Sequence, residues 1–331
     1  MTQNTPASVQ DSHASTTPPI RIGVSSCLLG EEVRYDGKHK RDAFVTKVLS
    51  QYVEFIPVCP EVSIGLGVPR APINLHGELE EPRLLSQDQS IDHTDTMNNW
   101  SAEYLATLPD DLCGFILKSK SPSCGMFRLP VHHTDGTTTR EGRGLFAQAL
   151  TKALPHLPVE EDGRLNDTPL RENFIQRIFT MHRWHEFLRN DPTPKGLVAF
   201  HTCHKYTLLA YNEVVYRDMG RWVAQAGSLP WDELISGYLN MMTQALAKPA
   251  SRGRHTNVLQ HLMGFLKTHL SSDDKEELLD LLDQYREGQV PLIVPLTLLR
   301  HHARHNDVPE WVHQQVYLRP YPKELLLQNY I

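Results

Sequence analysis

Apolar residues follow two different rhythms along this 331-residue chain, and the change falls around residues 155–168. In the first half, short apolar runs alternate with polar, helix-patterned stretches. "IRIGVSS" (core 22–26), "VEFIPV" (53–58) and "CGFILKS" (113–119) read as strands. "KRDAFVTKVLSQY" places Ala43, Val45, Val48 and Leu49 near helical spacing, and "DTMNNWSAEYLATL" reads as a second helix. Strand, helix and strand in repetition predict an α/β fold built on a parallel, Rossmann-like sheet.

"PHLPVEEDGRLNDT", with two prolines, a glycine and several acids, breaks the pattern and suits an interdomain linker. Long helices follow. "TPLRENFIQRIFTMHRWHEFLRND" opens on Thr168 as an N-cap and Pro169 at the first helical position, with Leu170, Phe174, Ile178, Met181, Trp184 and Leu188 as its apolar stripe. "SSDDKEELLDLLDQYREG" begins with acids that complement a helix dipole and ends at Gly288. The division expected is a tail over 1–20, an α/β domain over 21–160 and an all-α domain over 168–331.

Composition narrows the class without choosing a function. Forty percent apolar and 22% charged residues are ordinary for a soluble globular protein. No run approaches the roughly 20 apolar residues of a membrane helix. The first 20 residues lack the charged start and apolar middle of a signal peptide, and their Ser, Thr, Pro and Gln content predicts disorder. Five scattered cysteines do not form a disulfide framework, so a cytoplasmic protein with reduced thiols is expected, with no obligate protein partner. A net charge of −6 argues against a generally adhesive nucleic-acid binder but leaves room for a local basic surface.

Three of those cysteines share one kind of position. Cys27 follows the first strand in "SSCLLG", Cys59 the second in "PVCPE" and Cys124 the third in "SPSCG". Loops at the carboxyl ends of parallel strands lie together and bind ligands, so residues 32 and 65 positions apart can converge. Separated thiolates suit a metal centre with one open position, either an iron–sulfur cluster or zinc. The competing explanation is that each is a small buried hydrophobe. Cys113 begins its strand and reads as core; Cys203, in "HTCHKY" with His201 and His204, reads as core or helix surface.

Three long motifs, "CLLGEEVRYDGKHKR", "PVCPEVSIGLGVPRAP" and "KSKSPSCG", closely resemble the TudS-like thiouracil desulfidase family over about residues 21–155. The resemblance implies a 4Fe–4S cluster held by Cys27, Cys59 and Cys124, with one iron free of protein ligand. It assigns chemistry to Glu61 and Ser121. "KPASRGRHTNVLQHLMGFLK", "YREGQVPLIVPLTLL" and "YLRPYPKELLL" resemble the YbgA-type helical domain. A fusion of the two is similar to RudS-type proteins, which remove sulfur from 4-thiouridine in tRNA.

That resemblance implies a tRNA desulfidase. Desulfuration of free thiouracil and a non-enzymatic cluster sensor are the alternatives. Glu61, two residues after a ligand, would move a proton, or serve only as a cap or ion-pair partner. Ser121 would bind the ring or relay a proton, or bond its own turn. Arg34, Lys38, Lys40 and Arg41 beside the first cysteine would suit a phosphate-bearing substrate, or form a solvated loop. "GLG" (65–67) would let backbone pass close to a cluster. Residues 241–270 hold Lys248, Arg252, Arg254 and Lys267 with no acid, a basic patch able to contact tRNA phosphates.

Overall fold

The computed structural model describes residues 19–331; the expected tail lies outside the described residues up to residue 18. The first strand, β1 (Ile20–Ser25), starts at the last residue assigned to that tail. Then follow β2 (Val53–Val58), the single turn α1 (Pro60–Ser63), β3 (Ile73–Gly77), β4 (Pro82–Ser86) and α2 (Thr94–Leu105). β5 (Leu112–Leu117), β6 (Leu129–His132), β7 (Thr138–Gly142), α3 (Leu145–Ala153) and β8 (Val159–Glu161) complete this half.

The expected strands pair as a parallel sheet in the order β2-β1-β5-β8. Its fourth strand corrects the reading of 155–168 as a linker. Val159, Glu160 and Glu161 are buried and pair with Phe115, Ile116 and Leu117. Proline and acid content resembled a connection because this short edge strand carries two carboxylates in polar contacts.

A second, mixed sheet in the order β4-β3-β6-β7 has no counterpart in the expected scheme. The helix expected between β1 and β2 is also different: a π-type turn over Phe44–Val48 and a 3₁₀ turn over Leu49–Gln51. Side chains explain the irregularity. Thr46, Ser50 and Gln51 donate to the carbonyls of Asp42, Thr46 and Lys47, competing with a regular helical ladder.

The first sheet separates two cores. On one face Phe115 and Leu117 pack with Met97 of α2, Phe146 and Leu150 of α3, and Leu75, Leu84 and Val131 of the second sheet. On the other, Ile20, Ile22 and Val24 join Phe174, Ile175 and Ile178 of α4 (Thr168–Asn190). A Cβ at Gly114 would stand 2.7 Å from Ile178 Cγ2, so glycine lets α4 lie close on the sheet.

Beyond α4 come α5 (Pro194–Tyr211), α6 (Glu213–Val223), α7 (Trp231–Ala245), α8 (Arg252–Leu266), α9 (Ser272–Arg286), α10 (Ile293–His305) and the short α11 (Glu310–His313). The expected all-α second half is present. Its first cap shifts by one residue. Asp167, with extended backbone, accepts from the Leu170 N–H at 3.1 Å, while Thr168 is already helical. α9 ends ahead of Gly288, which has the left-handed φ of 80°.

Candidate active site

Each of the three cysteines emerges from a strand end. Cys27 sits in the 3₁₀ turn Ser26–Leu28 directly after β1, and Cys59 is the N-cap residue of α1 directly after β2. Cys124 lies in the turn beyond β5. That turn is pinned by the amino end of α3. The Gly144, Leu145 and Ala147 N–H groups donate to the carbonyls of Gly125, Pro122 and Ser123 at 2.7, 3.3 and 3.1 Å. A Cβ on Gly144 would meet the Ser123 carbonyl oxygen at 2.4 Å, so the approach requires glycine.

All three thiols line one cavity of about 280 Å³, with Glu61, Ser121, Arg34 and Tyr35 among its other walls. Burial pushes the Cys27 thiol up to about 11, with the neighbouring Cys59 adding to the shift. Burial also raises Cys59, and it raises Cys124 well above the usual thiol range, with Glu61, Cys59 and Cys27 adding their charge. Left alone, these are neutral thiols in one another's field. Binding as thiolates requires a positive centre and releases protons.

Among the described residues no three His, Cys, Asp or Glu side chains are gathered tightly enough for a single metal ion. A tetrahedral zinc holds its sulfurs only about 4 Å apart, at Zn–S of about 2.3 Å. An all-sulfur donor set around one cavity is the chemistry that suits an iron–sulfur cluster. Cys113 is buried with its thiol on the Asp111 carbonyl at 3.2 Å, and neither it nor Cys203 lines the cavity.

Glu61 is the polar hub. Its Oε2 accepts from Arg70 Nη2 at 2.5 Å and Nε at 3.1 Å. Its Oε1 accepts from the hydroxyls of Ser121 at 3.2 Å and Ser123 at 3.1 Å. The Ser121 oxygen in turn accepts the Ser123 and Cys124 N–H groups at 3.2 and 3.1 Å. Ser121 thus braces its own turn and also donates to Glu61.

Arg70 is the residue sequence reasoning missed. Besides Glu61, its Nη1 donates to the carbonyls of Val33 and Gly67 at 3.0 Å each, and its backbone N–H to that of Tyr35 at 2.8 Å. One side chain thus ties the loop after Cys27 to the carboxylate after Cys59. The available signal was an arginine between prolines in "VPRAP", where a rigid backbone presents a bidentate donor. Lys118 was also missed; it lines the cavity and is held by Asp162 Oδ2 at 2.8 Å.

The glycines of "GLG" are not crowded by the protein's own atoms. A Cβ at Gly65 would meet no protein atom within 4 Å and one at Gly67 only the Pro69 carbonyl oxygen at 4.0 Å. Gly65 supplies the left-handed φ of 88° just past α1.

The expected basic residues divide. Arg34 lines the cavity and bonds Asp36 at 3.3 Å, while Lys38 is exposed on the same loop. Lys248 is exposed. Arg252 donates to the carbonyls of Tyr285 and Val290 at 3.3 and 3.5 Å, and Arg254 to that of Tyr211 at 2.5 Å. Those two guanidinium groups tie helices together and have fewer donors left for an outside partner.

Residues 22–162 match the family described as 2-thiouracil desulfurase, and residues 205–322 match a protein family of unknown function, DUF1722. The chain is 31% identical over 162 residues to the uncharacterized protein YbgA of Escherichia coli (strain K12), covering 48% of this chain and 94% of that one. It belongs to the TudS/YbgA-like fusions. The chain is also 33% identical over 110 residues to the uncharacterized protein YbbK of Bacillus subtilis (strain 168), covering 31% of this chain and 72% of that protein. Among solved structures, the [4Fe-4S]-dependent thiouracil desulfidase TudS is similar to it at 28% identity, over 44% of this chain and 93% of that one, with a TM-score of 0.36. In the fusion, Cys27, Cys59, Glu61, Ser121 and Cys124 all fall inside the matched desulfurase segment. No helix among the described residues is long and apolar enough to cross a membrane.

Proposed function

We propose that this protein is a desulfidase that converts 4-thiouridine in tRNA to uridine and releases sulfide, acting in the cytoplasm with a 4Fe–4S cluster held by Cys27, Cys59 and Cys124. One observation carries the reading: three thiols open onto the same cavity as a serine–glutamate pair, within a segment that matches the 2-thiouracil desulfurase family. When bound, a cluster with one iron free of protein ligand supplies a soft Lewis acid for sulfur.

The chain's own residues supply the rest. Thiocarbonyl plus water gives carbonyl plus hydrogen sulfide, so no electrons are exchanged and only protons must move. Arg70 occupies Glu61 Oε2, leaving Oε1 to the hydroxyls of Ser121, which lines the cavity, and of Ser123, which is fully buried. Glu61 can take a proton from an attacking water and return it to the departing sulfur, while Ser121 Oγ, fixed by two N–H groups of its own turn, orients the Glu61 Oε1 it donates to. A sensor needs no such relay beside its ligands, and this favours the enzyme. The helical half would hold the rest of the tRNA.

The test is nucleoside analysis of 4-thiouridine-containing tRNA after anaerobic incubation with cluster-reconstituted protein. Uridine and sulfide should appear in equal amounts. Unchanged 4-thiouridine removes the proposal, and conversion of free thiouracil alone replaces it with the free-base alternative.

A further inference from the structure

The cavity is small, yet its surroundings offer further contacts. At about 280 Å³ it falls just below the roughly 300–1,000 Å³ of pockets for larger ligands. Two exposed aromatic rings stand beside it. Tyr35, 43% exposed, is part of the wall. Phe127, 39% exposed, follows Cys124 by three residues and precedes Leu129 by two, both cavity residues.

The two rings occupy opposite flanks. The Tyr35 carbonyl is bound by the Arg70 N–H at 2.8 Å, and Arg70 holds Glu61 just beyond β2. The Phe127 N–H donates to Glu161 Oε1 at 3.3 Å, at the carboxyl end of β8. In the order β2-β1-β5-β8 these are the two edges of the sheet.

Each ring carries a cation. The Arg34 guanidinium lies 5.5 Å from the Tyr35 centroid, and that of Arg164 lies 4.7 Å from the Phe127 centroid. Asp36 and Glu160 hold those arginines in place. Lys120 and Arg128, both exposed, bracket the Cys124 turn, and neither has a salt-bridge partner among the described residues. Both have left-handed backbones, φ 59° and 56°, a conformation that costs non-glycine residues energy and recurs at ligand clamps.

Aromatic rings interleaved with arginine and lysine are the means by which proteins hold single-stranded nucleic acid. An enzyme that works on one base must take that base out of its stack, and the neighbours on either side then lose their stacking partner. We propose that Tyr35 and Phe127 form an RNA-binding rim on which the bases flanking a flipped-out thiolated nucleotide stack, while Lys120 and Arg128 meet the adjoining phosphates. The inference rests on the desulfidase reading, and it locates RNA recognition on the catalytic half itself.

The test uses the full cluster-loaded chain and binding alone, so it requires no C–S cleavage. The probes are a five-nucleotide unmodified RNA with a central uridine and the same RNA with both flanking nucleotides abasic, followed by fluorescence anisotropy. Tyr35→Ala and Phe127→Ala should each weaken binding of the intact RNA by about 5- to 150-fold, the range for one base–aromatic stack. The abasic RNA should bind wild type and the double variant equally. Tyr35→Trp and Phe127→Trp should retain tight binding of the intact RNA, showing that the surrounding fold tolerates replacement. Equal weakening of both RNAs by the alanine variants, or no weakening, overturns the rim. Intact 4-thiouridine in wild-type turnover assays, alongside coupled binding, would remove the desulfidase and leave the rim standing.

Discussion

Replacing Arg70 with methionine tests whether one guanidinium organises the site. Its side chain is 8% exposed and that of Glu61 13%, so the pair sits largely out of water. Arg70 contributes two hydrogen bonds to Glu61 and one each to the Val33 and Gly67 carbonyls. Methionine fills the volume and offers none. The Glu61 carboxylate would keep only the two serine hydroxyls, and removing one partner of a buried pair typically costs about 3–5 kcal/mol.

Glu61→Gln relieves the stranded charge, so the double variant Glu61→Gln, Arg70→Met should be more stable than Arg70→Met alone. The coupling expected for contacting residues is about 0.5–3 kcal/mol. Urea unfolding of the cluster-free chain, followed by circular dichroism, measures all four corners of the cycle. Arg70→Lys should fall between, because an ammonium cannot present the same fork to the carboxylate. A stable Arg70→Met protein, or a double variant weaker than that single, would refute the assignment of Arg70 as the organiser.

Two further predictions concern thiols and a buried acid. Cys27→Ala, Cys59→Ala and Cys124→Ala should each lose iron and visible absorbance after reconstitution, while Cys113→Ala and Cys203→Ala should keep both; full occupancy in the first three would end the ligand assignment. In the helical half, burial pushes Glu172 up from 4.5 to about 7 against the opposing hydroxyls of Tyr211 and Tyr321. Because the folded state binds this proton more tightly, the contribution to stability is complete below about pH 4.5 and fades as pH rises through 7, by about 3 kcal/mol in all. Glu172→Gln should flatten that slope and stabilise the chain at pH 8; identical unfolding midpoints for wild type and variant at pH 5 and pH 8 would refute it.

The parts legible in sequence are those whose signal is local. β2 was legible over all six residues because Val53–Val58 is an unbroken apolar-rich run between polar turns. The cysteines were legible because each follows such a run. The second sheet was not, since β3 and β6 join through long-range parallel pairing, Leu75 to Val131 and His76 to His132, and their short segments carry no periodic signal of their own. The apolar stripe of α4 gave only half of that helix's environment. Glu172, Asn173, Gln176 and Thr180 lie outside that stripe and are buried as well, because α4 lies between the sheet and the remaining helices.

The position of α4 has a consequence for how the two halves work together. Its Phe174, Ile175 and Ile178 seal the sheet beneath β1 and β5, the strands that lead to Cys27 and Cys124. From the same helix Glu172 binds Tyr211 of α5 and Tyr321 near the carboxyl end, and Asn173 donates to the Leu246 carbonyl after α7 at 2.9 Å. A core cut between the matched segments, near residues 163–204, would therefore pass through a helix shared by both. Breaking it exposes the underside of the sheet and strands a carboxylate and an amide in the helical half. The sheet half and the helical half are therefore fused by a common core.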